Sequence, residues 1–296
     1  MYELIQVGER TYYVESPSRI GFYRYGENDV CLIDSGNDKE AGRRILRHVN
    51  EQGWTLGMIL NTHSNCDHIG GNAFLQKRTG APAYSVGLEA VLSVCTVMEP
   101  AFLYGGYPPH DLRHRFLVAE PSDVRDLSQA ALPEGIEPVR LDGHMFEMVG
   151  FRTSDDVWFL ADALTSPHIL EKYHIPFLFD TKKYLETLNL IEKLSGKLFI
   201  PSHAKPVEDI RPLVQANREK IHEILNLLCE ICAEPIAFED ALKKVFDRYG
   251  LSMNFDQYVL VGSTVRSMLA YLRDECRMEI SFMDNRMLWR AEQVID

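Results

Sequence analysis

No stretch of about 18 apolar residues occurs in the 296-residue chain, so no membrane-spanning helix is expected. The opening MYELIQVGER has no basic segment followed by a hydrophobic one, and no secretory signal is expected either. Cysteine is sparse. Cys31, Cys66, Cys95, Cys229, Cys232 and Cys276 fall well short of the density of a disulfide scaffold and suit a reducing compartment, so the chain reads as cytoplasmic. Basic charge is also short: 31 Lys and Arg face 43 Asp and Glu, a formal net charge of -12 that repels polyanions and argues against nucleic acid or an anionic membrane as partner. Internal repeats and low-complexity tracts are missing too, which excludes solenoids and biased linkers.

What the chain does have is apolar residues, 46% of it, enough for a large domain and a smaller one. The first part reads as short antiparallel strands at 2–7, 11–15, 20–25 and 30–34, separated by turn-forming residues. Helical spacing follows at 39–52, then a buried strand at 57–61 that ends at Thr62-His63. Residues 99–135, rich in Pro, Gly, Tyr and His, show no sustained period and are expected to form a long loop or lid. Strands are expected again at 138–141, 147–153 and 157–160, helices at about 165–173 and 181–194, and a short strand at 197–200 before Pro201-Ser202-His203.

The densest chemistry lies in Thr62-His63-Ser64-Asn65-Cys66-Asp67-His68-Ile69-Gly70-Gly71, where a buried strand gives way to a helix. Strand alternation carried through the turn would put His63 and Asn65 on one side, with Asp67 and His68 in the first helical turn. So many ligand-type side chains beside glycines that permit close backbone approach point to a metal rather than to core packing.

This segment resembles the metal-binding signature of the metallo-beta-lactamase superfamily, His-x-His-x-Asp-His. Asp142-Gly143-His144, Leu160-Ala161-Asp162-Ala163 and Ile200-Pro201-Ser202-His203 follow in the family's order, and Val30-Cys31-Leu32-Ile33-Asp34-Ser35-Gly36 resembles its early strand and turn. The likeness covers about residues 1–205. It implies an α+β fold, an αββα sandwich with a metal cleft at one edge. It also implies a first metal position lined by His63, Asn65 and His144 and a second lined by Asp67, His68 and His203, with Asp162 shared. Asn65 stands where the family has its second histidine, and a neutral amide oxygen binds zinc more weakly than imidazole does. Two divalent ions lead this reading, then one, then an empty site; zinc is expected, with iron or manganese as alternatives.

The activity implied is hydrolysis by metal-activated water of an ester, thioester, lactone or phosphodiester bond in a small molecule, with Asp67 as the catalytic group that receives the proton. The alternatives are a catalytically impaired metal-binding or ligand-sensing protein and an iron-dependent oxidoreductase. Histidines outside the motif read as structural or solvated: His48 and His222 lie in helical patterns, while His110, His114, His168 and His174 are the ones with some chance of reaching the cleft. The Cys229–Cys232 pair lacks a second pair and reads as helix packing, and Cys66 as buried.

Beyond the sandwich, 206–233 reads as a connecting helix and 234–296 as a separate winged-helix-like domain. Its expected elements are helices at 238–249, 255–261 and 263–275, then a hairpin of 278–282 and 286–290. Its eight basic residues against eleven acidic ones leave a net charge of about -3, the wrong sign for a phosphate binder. Packing against the site, shaping of substrate access or homodimer formation are the roles left open.

Overall fold

The computed structural model describes residues 2–292. Met1 and the last four positions of the 234–296 segment lie outside the described residues.

Alternation in the early strands determines how the first sheet is buried. It comprises β1 (Leu4–Gln6), β2 (Thr11–Val14), β3 (Ile20–Arg24), β4 (Asp29–Ile33), β5 (Thr55–Leu60), β6 (Ala83–Ser85) and β7 (Val124–Asp126), hydrogen-bonded in that order. The first four are antiparallel and the rest parallel. In β4, Val30 and Leu32 face one way while Cys31 and Ile33 face the other, and all four are buried. The outer face is covered by α1 (Lys39–Glu51), whose Ile45 and Val49 pack there, and by Leu75 of α3 (Asn72–Thr79) and Ala90 of α4 (Gly87–Val94); α2 (Cys66–Ile69) and α5 (Met98–Tyr104) lie on the same stretch of chain but pack in smaller clusters of their own.

The second sheet has the order β11-β10-β9-β8, from β8 (Ile136–Arg140), β9 (Val149–Thr153), β10 (Val157–Thr165) and β11 (Leu198–His203). Period-two alternation again separates two layers: Val157 and Phe159 meet Tyr23, Ile33 and Leu60 of the first sheet, while Trp158 and Leu160 face helices. These helices are α6 (Pro167–Tyr173), α7 (Thr181–Ile191), α8 (Arg211–Ile231), α9 (Phe238–Tyr249) and α10 (Phe255–Asp274). The result is the αββα sandwich. One continuous apolar cluster runs from Leu160 through Leu188 and Leu225 to Phe246, Leu269 and Trp289, so residues beyond 234 share the core of the second sheet.

Three local expectations are corrected. The helices expected at 255–261 and 263–275 are one, α10, because Gly262 sits on its buried face and does not interrupt it. Residues 99–135 are not one loop: they hold most of α5, 3-10 turns at His110–Leu112 and Leu127–Gln129, and β7. Order there comes from a small core of Leu103, Leu112 and Leu117 with Val259, a partner about 140 residues away that no local period can reveal. The connecting helix begins at Arg211, since the chain at Val207 instead bridges back to Phe199. The terminal hairpin is β13 (Met278–Met283) and β14 (Arg286–Ala291), with the short β12 (Ile236–Ala237) on its other side. Asp284 and Asn285 both have positive φ, as a two-residue turn requires.

Candidate metal centre

All seven expected site residues converge where the two sheets meet. His63 and Asn65 come from the segment after β5, Asp67 and His68 from α2, His144 from the turn after β8, Asp162 from β10 and His203 from the end of β11. The parallel pairing of β10 with β11 breaks register on both sides of Ala161, which has a φ of 50°. Such a bulge re-aims the next side chain, here Asp162, into the cleft. Gly143 has a φ of 119°, and a Cβ there would lie 2.3 Å from the Tyr184 nitrogen; only glycine lets the chain turn so that His144 points inward.

Asp162 lies at the centre. Its Oδ1 is 3.1 Å from His68 Nε2, and its Oδ2 is 3.1 Å from His203 Nε2, 3.6 Å from His144 Nε2 and 4.0 Å from His63 Nε2. Asp67 Oδ2 is 3.3 Å from His203 Nε2 and 3.4 Å from His68 Nε2. The ligand atoms fall into two groups, each with all members within 4.8 Å of one another: Asp67, His68, Asp162 and His203, and His63, His144 and Asp162.

Hydrogen bonds on the far side of each ring fix which nitrogen carries the proton. His68 Nδ1 donates to Asp34 Oδ2 at 2.8 Å. Thr62 Oγ1 donates to that same oxygen at 2.8 Å, so it must accept from His63 Nδ1, 2.9 Å away. His144 Nδ1 donates to the Phe177 carbonyl at 3.1 Å. When these three rings are neutral, as a metal ligand must be, the lone pairs of His63, His68 and His144 Nε2 turn inward. His63 Nε2, His68 Nε2 and Asp162 Oδ1 are buried and have no hydrogen-bond partner. Such convergent buried groups must either take up protons, as His68 does beside Asp162 Oδ1, or hold a cation, which removes the cost of facing lone pairs. Imidazole nitrogens with carboxylate oxygens and no thiolate suit zinc, iron or manganese, so the residues fit a divalent metal.

Asn65 adds to this pattern. Its Nδ2 donates to Glu99 Oε1 at 2.7 Å, which turns Oδ1 toward His144 Nε2, 3.0 Å away. In the neutral ring an oxygen lone pair then faces a nitrogen lone pair. Glu99 is buried, and desolvation raises its carboxyl well above the ordinary range even though the Asn65 amide opposes this.

Charge is unevenly shared among the rings. Desolvation lowers His68 and His203, but the carboxylates outweigh it: Asp67, Asp162 and Asp34 hold His68 well above its ordinary value, and Asp162 with Asp67 pushes His203 up to about 10. Desolvation and then neighbouring His68, ring centroid 4.0 Å away, keep His63 well below its ordinary value. For Asp162, desolvation is outweighed by His203 and His68, which hold it well below the carboxylate range.

Several supporting residues carried little local signal. Asp34, held at a φ of 64°, anchors His68 and, through Thr62, His63; its backbone strain is retained because Thr62 N and Oγ1 and His68 all bond to its carboxylate. In the sequence Asp34 stands out through the Asp34-Ser35-Gly36 turn alone. Glu89, fully buried, accepts from Ser64 N and Oγ and holds the ligand loop from below. The other histidines stay outside the cluster: His114 pairs with Asp256, His174 stacks on Tyr249, and His168 lines a cavity of about 640 Å³ that reaches the site only at His203. Cys66 is buried with its thiol pushed up by desolvation, and Cys232 is buried against the α8 core.

The family model described as the metallo-beta-lactamase superfamily matches residues 14–203, which include every residue of the cluster. Among curated proteins the matches are short. A beta-lactamase hydrolase-like protein of Xylella fastidiosa is 50% identical over 38 residues, 13% of this chain and 9% of that protein. A hydroxyacylglutathione hydrolase of Methylococcus capsulatus is 42% identical over 43 residues, 14% of this chain and 17% of the other. The chain thus spans less than a fifth of these relatives in the aligned regions. Solved structures align far more widely. A beta-lactamase domain protein from Burkholderia ambifaria has a TM-score of 0.74 at 18% identity over 98% of this chain and 94% of its own. A metallo-beta-lactamase family protein from Thermus thermophilus has a TM-score of 0.68 at 17% identity over 98% of both chains. At such identities the likeness is one of fold, and it extends through the C-terminal helices and hairpin.

Proposed function

The chain belongs to the metallo-beta-lactamase superfamily, and from that premise we propose that it is a metal-dependent hydrolase acting on an ester-type bond of a small molecule. The observation that carries this reading is the convergence of buried imidazole and carboxylate ligand atoms on two positions that share Asp162. A bound divalent ion would supply water with a pKa near neutrality and would oppose negative charge on the attacked oxygen.

The residues divide the remaining work. Asp67, His68, Asp162 and His203 would hold one ion, and His63, Asn65 and His144 with Asp162 the other. About a third of the Asp67 side chain meets solvent, so its carboxylate is the one able both to orient incoming water and to receive its proton. We read Asn65 as an oxygen ligand in place of imidazole, with Glu99 fixing the amide so that Oδ1 and not Nδ2 faces the ion. The test is elemental analysis of protein purified without added metal, alongside hydrolysis assays on generic ester, thioester, lactone and phosphodiester substrates. A metal-free protein that neither takes up zinc, iron or manganese nor hydrolyses any of the four would overturn the proposal.

Two quantitative outcomes follow from the site. In the metal-free protein His68 and His203 are held protonated by Asp67, Asp162 and Asp34, yet a ligating imidazole must be neutral. Both pKa values are raised, so both protons are present at pH 7 and must leave on metal binding. Calorimetric titration with zinc in buffers of different ionisation enthalpy should then show release of about two protons at pH 7. Affinity should rise with pH until His203 deprotonates near 10. A pH-independent affinity would contradict this protonation pattern. The second outcome concerns Glu99. Glu99→Ala frees the Asn65 amide to flip and should weaken metal binding at the first position roughly 10- to 100-fold, as removal of a group that orients a ligand typically does. Competition with a chelator reads this directly, and the second position should be unaffected.

A further inference from the structure

We propose that α10 builds a pocket for an apolar group of the substrate beside the metal centre, so that the substrate is a carboxylic ester or thioester bearing an aliphatic or aromatic group rather than a polyanion. This deepens the hydrolase reading and rests on it. The floor of a cavity of about 340 Å³ is formed by His144, Asp162 and His203. Its other walls carry Ile169 and Phe177 and, from α10, Leu260 and Val261. Among the described residues no Lys, Arg or Glu lines it; Thr165 and Tyr173 add hydroxyls, and that of Tyr184 is already engaged with Asn217 at 3.2 Å. Away from that floor, the wall gains by exchanging water for hydrocarbon and offers no Lys or Arg to a second anionic group.

α10 is fixed against the site. Leu178 N donates to Thr264 Oγ1 and Thr181 N to Ser267 Oγ, both at 3.0 Å. These bonds pin the helix to the 175–181 segment, whose Phe177 carbonyl also orients His144. On the other flank His114 pairs with Asp256 at 2.9 Å, and Val259 packs with Leu103 and Leu112. The pocket wall, the His144 ring and the 98–117 segment are therefore braced together. The C-terminal helix thereby becomes the part of the chain that sets substrate size. Gln257 is the polar side chain that α10 adds to this lining.

The test is calorimetric binding of the n-alkanoates from acetate to octanoate, with metal content measured on the same samples. Wild-type affinity should rise roughly fourfold per methylene until the pocket is full. Leu260→Trp, which occupies the pocket, should flatten the series at short chains with metal content unchanged, and Leu260→Ala should extend the rise to longer ones. Affinity independent of chain length in the wild type, or the same dependence in all three proteins, would overturn the pocket. Should Leu260→Trp fail to fold, the wild-type and Leu260→Ala series decide. Should the protein carry no metal, the hydrolase reading is what fails; the same series run with n-alkanols, which need no cation, then reads the pocket alone.

Discussion

Asp162→Ala should strip metal from both positions at once and cut turnover by roughly a thousandfold or more. Its two carboxylate oxygens reach into both ligand groups, within 3.1 Å of His68 and His203 and within 4.0 Å of His144 and His63. Loss of a Lewis acid removes several kcal/mol of charge stabilisation, and each 1.36 kcal/mol is about tenfold in rate. The fold should survive, because the sandwich is held by the apolar layer between the sheets, in which Tyr23, Ile33, Phe151 and Phe159 are buried and Asp162 takes no part. Elemental analysis and circular dichroism check both halves. Full metal content in the variant would show that Asp162 is not the shared ligand.

Asp67→Asn should separate proton transfer from metal binding. The amide keeps the size of the carboxylate and one oxygen near His68 and His203, but it cannot take up a proton. A lost general base costs typically about 10²- to 10⁴-fold, so kcat should fall by that order while the first position, which Asp67 does not approach, keeps its ion. Asp67→Ala should lose the same activity and also weaken the second position. Desolvation tends to raise the Asp67 carboxyl, but His68 and His203 outweigh it and hold it far below the ordinary range in the metal-free protein. It therefore stays ionised in the metal-free protein and is ready to ligate. Wild-type rates in Asp67→Asn would assign the proton to another group.

These predictions depend on how the metal centre and the C-terminal segment are joined. α10 begins more than fifty positions after His203, yet it walls the cavity above that histidine and bonds to the segment that orients His144. Substitutions in α10 should therefore change which substrates are accepted without changing which metals are held, whereas changes at Asp34 or Glu99 should do the reverse.

The sequence by itself determined the ligand types and their order. His63 to His68 are local neighbours at a strand-to-helix junction, His144 follows β8, and Asp162 and His203 lie in β10 and at the end of β11, strands whose apolar runs are readable within a few residues. It also placed β4 and the first half of β10, because a short apolar run bounded by turn residues is a local property of the chain. Tertiary structure decided everything that needed a partner far away: the ring tautomers set by Asp34 and Phe177, the rotation of the Asn65 amide by Glu99, the order of residues 98–117 against Val259, and the closure of the pocket by α10. Hydrogen bonds and packing between residues about 30 to 160 positions apart leave no period in the sequence. Their energy depends on a distance that only the folded chain defines.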